Sequence, residues 1–186
     1  MKLTMAALCG SALLLATELA PAALAAGDDI VARTYDSAIR SAESEIVGLA
    51  EAMPAGKYDF APTNGEFKGV RTFGQQVKHL AAVVYLVSAA AQGQKPPVDT
   101  NHEAGPDSAA TKEQIVAFLK GAFTYAHKAA QSMTASNQMD AVDSPFGDGK
   151  VTRAGILNVA SWQSFDHYGQ MVVYARMNGI VPPASR

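Results

Sequence analysis

The stretch WQSFDHYGQ, residues 162–170, sets one histidine between two amides: Gln163 lies four residues before His167, and Gln170 lies three after it. On a helix of 3.6 residues per turn, positions three and four apart share a face. Gln163, His167 and Gln170 therefore line up with Ile156, Ala160, Met171 and Tyr174. A second candidate is His79 in QQVKHLAAVVYL, which shares its face with Gln76, Val83 and Leu86. That face borders the stripe of Leu80, Val83, Val84 and Val87, which turns His79 inward or toward the rim of a helical core. Two imidazoles facing each other across packed helices are rigid ligand positions for a metal ion. Imidazole suits zinc, nickel, copper and iron, and three protein ligands leave a position open for water or substrate. Gln163 could add an amide oxygen, a poor donor for such ions. The residues alone fit a pair of satisfied core or rim histidines better than a metal site, and both readings stay open.

The remaining candidates are weaker. His127 shares its face with Lys120, Thr124 and Gln131, which reads as a solvent-facing position, and His102 sits in a polar loop that would have to carry it to a site. Asp166 points about 100° around the helix from His167 and is no direct partner. Trp162, Tyr168 and the methionines at helical spacing read as packing residues. The chain has no C-x-x-C-H for covalent haem, no Glu-x-x-His pair for a di-iron bundle, and no phosphate loop or nucleophile elbow.

Four amphipathic segments must position these residues. The first carries Val31, Tyr35, Ala38, Ile39, Ala42, Ile46, Leu49 and Met53, with Asp28 or Asp29 as its cap and Pro54 and Gly56 ending it. Thr72 starts the second, which ends near Gln92 and Gly93. Thr111 and Gln114 form a capping box for the third, which runs to Met133. Thr152 caps the fourth, and Gly179 with Pro182 and Pro183 stops it. The connections at 54–71, 93–110 and 134–150 are polar or rich in Gly and Pro, and no alternating run predicts a strand. The expectation is an all-α four-helix bundle, with the long first and second connections leaving room for something other than a simple up-down path.

Residues 1–26 read as a cleavable signal peptide: Lys2, an apolar stretch from Met5 to Ala16, then small residues with Ala23-Leu24-Ala25 as a cleavage site. Residues 27–186 would form the bundle domain, periplasmic or secreted, with no membrane anchor after cleavage. Cys9 would leave with the leader, which removes disulfides, thiolate ligands and a cysteine nucleophile from the mature chain. The formal charge of −2 offers no basic footprint for nucleic acid. A spare apolar helix face would allow a homodimer, and the partner for chemistry would be an unknown small molecule.

These segments resemble the DinB-like (DinB/YfiT-like) family of four-helix proteins. The resemblance rests on EAMPAGKYDFAPTNGEFKGVRTFGQQVKHLA at 51–81, SPFGDGKVTR at 144–153 and DHYGQMVVYARMNGIVPP at 166–183. It implies one divalent metal, nickel or zinc, held by a histidine of the second helix and two of the last in an H-x-x-x-H pattern. His79 and His167 match two of those positions, and Gln163 stands at the third, so the implied site is His79, Gln163 and His167 with its affinity weakened. Some relatives are thiol-dependent transferases or isomerases, which an exported chain is poorly supplied to be. The resemblance equally allows a non-catalytic binding or scaffold protein with a degenerate site.

Overall fold

The computed structural model describes residues 19–186, so most of the predicted leader lies outside the described residues. Four helices account for most of the rest: α1 (Leu19–Ala52), α2 (Phe73–Ala91), α3 (Lys112–Gln131) and α4 (Arg153–Met177). The helix boundaries follow the capping chemistry. The Thr72 and Thr111 hydroxyls each accept from the backbone N–H three residues on, while Gln75 and Gln114 return bonds to the cap. Thr152 accepts from the Gly155 N–H at 3.0 Å. At α1 the expectation fails, because the helix already runs through Asp28 and Asp29. Asp29 pairs with Arg33 one turn later, at 2.6 Å, instead of capping.

The helices are joined diagonally. Both α1 and α2 pack against α3 and α4, whereas α3 and α4 touch only weakly, so the order around the ring is α1, α3, α2, α4. The connections from α1 to α2 and from α3 to α4 cross the bundle, while the one from α2 to α3, of similar length, joins neighbours. A diagonal path cannot be closed by a tight turn, so the two crossings need long loops. Between α3 and α4 the chain also forms an antiparallel hairpin, β1 (Ala141–Asp143) with β2 (Lys150–Thr152), in which Val142 faces Val151. Strands of three residues are too short for alternation to reveal, so the sequence reading missed them.

The core joins Ile39, Ala42, Ile46, Leu49 and Met53 of α1 to Leu80, Val84 and Val87 of α2, with Leu119, Phe123, Leu157 and Met171 from the other two helices. Ala38 of the predicted α1 stripe is exposed. Trp162 also departs from the packing role: 56% of it remains exposed, on the outward side of α4 with Phe165, Val173 and Met177. Among the described residues no helix is long and apolar enough to cross a membrane.

Candidate functional site

The site lies on the seam between α2 and α4. The lead-in to α2 explains why His79 is held there. Phe73 is fully buried and meets the Tyr58 ring edge-on, with centroids 5.3 Å apart. The Gly74 N–H donates to the Tyr58 carbonyl at 2.7 Å, and a Cβ at Gly74 would stand 3.2 Å from that oxygen. Glycine lets the loop press this closely on the first turn of α2, where a side chain would force its neighbours to shift. The Tyr58 hydroxyl donates to the Ala50 carbonyl at 2.7 Å, which ties the same loop to α1.

His79 of α2 and His167 of α4 meet edge to face, with ring centroids 4.8 Å apart. They are 6% and 7% exposed, and Gln163, 9% exposed, lies beside them. The sequence reading brought these three residues together, and the fold does the same. Each imidazole has a fixed hydrogen-bond partner on Nδ1. For His79 it is the Glu103 backbone carbonyl at 3.0 Å, and for His167 it is Gln76 Oε1 at 2.7 Å. A carbonyl and an amide oxygen only accept, so in the neutral rings Nδ1 carries the hydrogen and Nε2 keeps its lone pair. His79 Nε2 then accepts from the Gln163 amide nitrogen at 3.3 Å. The other end of that amide, Gln163 Oε1, is buried without a hydrogen-bond partner.

Burial pushes both imidazoles toward the neutral form. For His79, desolvation and then the Arg71 charge lower the pKa, partly offset by the Glu103 carbonyl and carboxylate. For His167, desolvation first and then the neighbouring His79 push it down to about 4, against the pull of Asp166. Two neutral imidazoles with bonded Nδ1 atoms are in the protonation state that ligates a metal through Nε2.

The acceptor for His79 comes from an unusual turn. Asn101, His102 and Glu103 all have positive φ, at 42°, 51° and 87°, a left-handed run that side chains disfavour. It is held by Asp99 Oδ1 accepting from the Asn101 N–H at 2.8 Å. Gly105, at φ 76°, lies where a Cβ would meet Lys78 of α2 at 3.1 Å. This turn leaves His102 exposed and outside the histidine pair, while Glu103 takes the position beside the site. The Glu103 carboxylate is 3.9 Å from His79 Nδ1. Nothing in sequence spacing pointed to Glu103, because its role belongs to its backbone.

His127 corrects the sequence reading. It is largely covered rather than solvent-facing, with Nδ1 2.6 Å from Asp36 Oδ1 and Nε2 3.0 Å from Glu43 Oε2, both on α1. Amphipathic arithmetic on α3 alone could not see two acids arriving from another helix. Among the described residues, no three His, Cys, Asp or Glu side chains are placed to hold a metal ion. A third donor at the α2–α4 seam has to be Gln163. The residues there fit a divalent ion in part: both rings carry a lone pair on Nε2, that of His79 facing the Gln163 amide nitrogen, and one buried amide oxygen lacks a partner.

The profile of the DinB superfamily matches residues 38–171. The fold is similar to the crystal structure of a DinB-like protein from Bacillus cereus ATCC 10987, with a TM-score of 0.58 and 16% identity. That match covers 76% of this chain and 89% of the other. It is also similar to the DinB-like protein YjoA of Bacillus subtilis, with a TM-score of 0.51 and 23% identity over 78% of this chain and 92% of that one. A search of curated proteins finds no match.

Proposed function

The chain belongs to the DinB superfamily, and we propose that its α2–α4 seam is a weak divalent-metal site built from His79, His167 and Gln163. The observation that carries this reading is the unpartnered Gln163 Oε1 beside two imidazoles whose Nδ1 atoms are already bonded. An orphaned buried oxygen costs about 1–3 kcal/mol, and a cation is one partner that would relieve it. Turning the Gln163 amide over would exchange its nitrogen for its oxygen on the side facing His79. Nickel or zinc suits the two imidazoles, and the amide oxygen, a poorer donor, makes the site weak. A bound ion of this kind lowers the pKa of water or polarises a substrate heteroatom. The chain's own share is to hold both rings neutral, orient their lone pairs and keep bulk water from the seam.

The same residues support binding of a small molecule without catalysis. That second reading is favoured by the Gln163 amide nitrogen, not its oxygen, facing His79, which already satisfies the ring. The apolar N-terminal stretch supports export to the periplasm or outside the cell. The outward apolar residues of α4 support pairing of two copies.

Elemental analysis and titration of protein purified without a histidine tag test the metal site. Uptake of nickel or zinc toward one equivalent, lost in His79→Ala and in His167→Ala, is the expected result. Less than about a tenth of an equivalent, even after refilling with excess ion, would exclude the metal reading.

A further inference from the structure

His167 is not the end of its hydrogen-bond chain. Its Nδ1 faces Gln76 Oε1 at 2.7 Å, Gln76 Nε2 donates to Gln170 Oε1 at 2.9 Å, and Gln170 Nε2 donates to Asp166 Oδ2 at 3.2 Å. The chain thus leaves α4 at His167, crosses to α2 at Gln76, returns to α4 at Gln170 and ends on the residue next to where it began. Gln76 is buried, while Gln170 and Asp166 lie at the surface.

Each primary amide has one accepting end and one donating end, so a row of two amides can run in either of two directions. The direction is chosen at the terminus. An ionised carboxylate has no hydrogen to give, so the Asp166 end can only accept. Gln170 must then turn its NH2 toward Asp166 and its oxygen toward Gln76. Gln76 must turn its NH2 toward Gln170 and its oxygen toward His167. That leaves His167 one way to complete the row: Nδ1 carries the hydrogen and Nε2 holds the lone pair. Free histidine side chains in water favour the opposite tautomer, so the preference has to be imposed.

We propose that Asp166 and Gln170 are positioning residues that, through Gln76, fix His167 in the tautomer that presents its Nε2 lone pair to the seam. Asp166 points away from His167 around the helix and never touches it. Its influence travels through two amides that change helix twice. The i to i+4 spacing of Asp166 and Gln170 lets one surface turn of α4 supply both the anchor and the first relay. His79 needs no such row, because the main-chain carbonyl of Glu103 has only one polarity. The tautomer assignment stands by itself, and its consequence for a metal rests on the function proposed above.

The test is nitrogen-15 NMR of histidine-labelled, metal-free, full-length protein at neutral pH, where ring-nitrogen shifts distinguish a protonated from a lone-pair nitrogen. The wild type is expected to show His167 with Nδ1 protonated. Asp166→Ala and Gln170→Ala, both surface changes whose folding is verified by circular dichroism, are expected to shift His167 toward the Nε2-protonated form and leave His79 unchanged. Gln76→Glu combined with Asp166→Ala restores an acceptor that cannot donate, and should return His167 to the wild-type tautomer. If nickel or zinc binds, Asp166→Ala should weaken it by about tenfold, as loss of an outer hydrogen-bond partner does. A wild-type tautomer retained in Asp166→Ala and Gln170→Ala overturns the relay even if metal binds. A relay confirmed by the tautomer shift in a protein that takes up no metal overturns only the metal reading.

Discussion

His127, between α1 and α3, meets a carboxylate at each ring nitrogen, whereas His79 and His167, between α2 and α4, are bonded to a main-chain carbonyl and to amides. The two seams lie on opposite sides of the helical ring. Both ring nitrogens of His127 are held by carboxylates of α1, so the residue works as a clamp between α1 and α3. On the other seam the surroundings oppose charge, and each ring keeps a lone pair on Nε2, that of His79 facing the Gln163 amide nitrogen. The same side chain thus serves as a structural tie in one place and a candidate ligand in the other. The difference lies in whether acids or neutral acceptors face it.

The sharpest separation of the two seams comes from Gln163→His. If the rings converge as described, this change is expected to tighten nickel or zinc binding by roughly a hundredfold, since it replaces a poor amide donor with a third imidazole. Calorimetric titration of the variant against the wild type measures it, and unchanged affinity would mean that the two lone pairs do not meet. His127→Ala should leave metal binding untouched and instead lower folding stability by about 1–2 kcal/mol, through lost hydrogen bonds to charged groups. Urea denaturation reads that loss, and a variant as stable as the wild type would remove the clamp from the account.

The smallest effect is on pH dependence. His167 is depressed to about 4 from an ordinary 6.5. As the pH falls through that window the unfolded chain takes up the proton first, so acidification favours unfolding. Stability associated with the seam is present above about 6.5 and lost on the way down to about 4. His167→Gln should flatten this part of the stability profile. Asp36 titrates below it: burial alone would raise the carboxyl, but the Arg40 and His127 hydrogen bonds and charges outweigh that and hold it under 3.8. Asp36→Asn should therefore flatten the profile only at lower pH. Denaturation midpoints taken across the acid range separate the two, and a common window would end the contrast between the seams.

Much of this was legible in advance because helices are written locally. The stripe ending at Met53, the threonines at 72, 111 and 152, and the stop at Gly179 each act within a turn or two of their own position. His79, Gln163 and His167 were legible for the same reason, since inward direction follows from helical period once the apolar face is known. The three-residue strands, the long reach of α1 and the surface exposure of Trp162 were not. Each depends on what lies opposite, and no local rule carries that information.

The sequence by itself determined four helices, the threonine caps of three of them, and the inward faces on which His79 and His167 ride. Tertiary structure decided what those imidazoles meet. It brought Asp36 and Glu43 to His127, turned the Glu103 carbonyl toward His79, and ran Gln76 and Gln170 between His167 and Asp166. The physical reason is that periodicity sets a side chain's direction within its own helix, while its protonation and partners are set by groups many residues away that only the diagonal packing of the bundle brings within hydrogen-bond range.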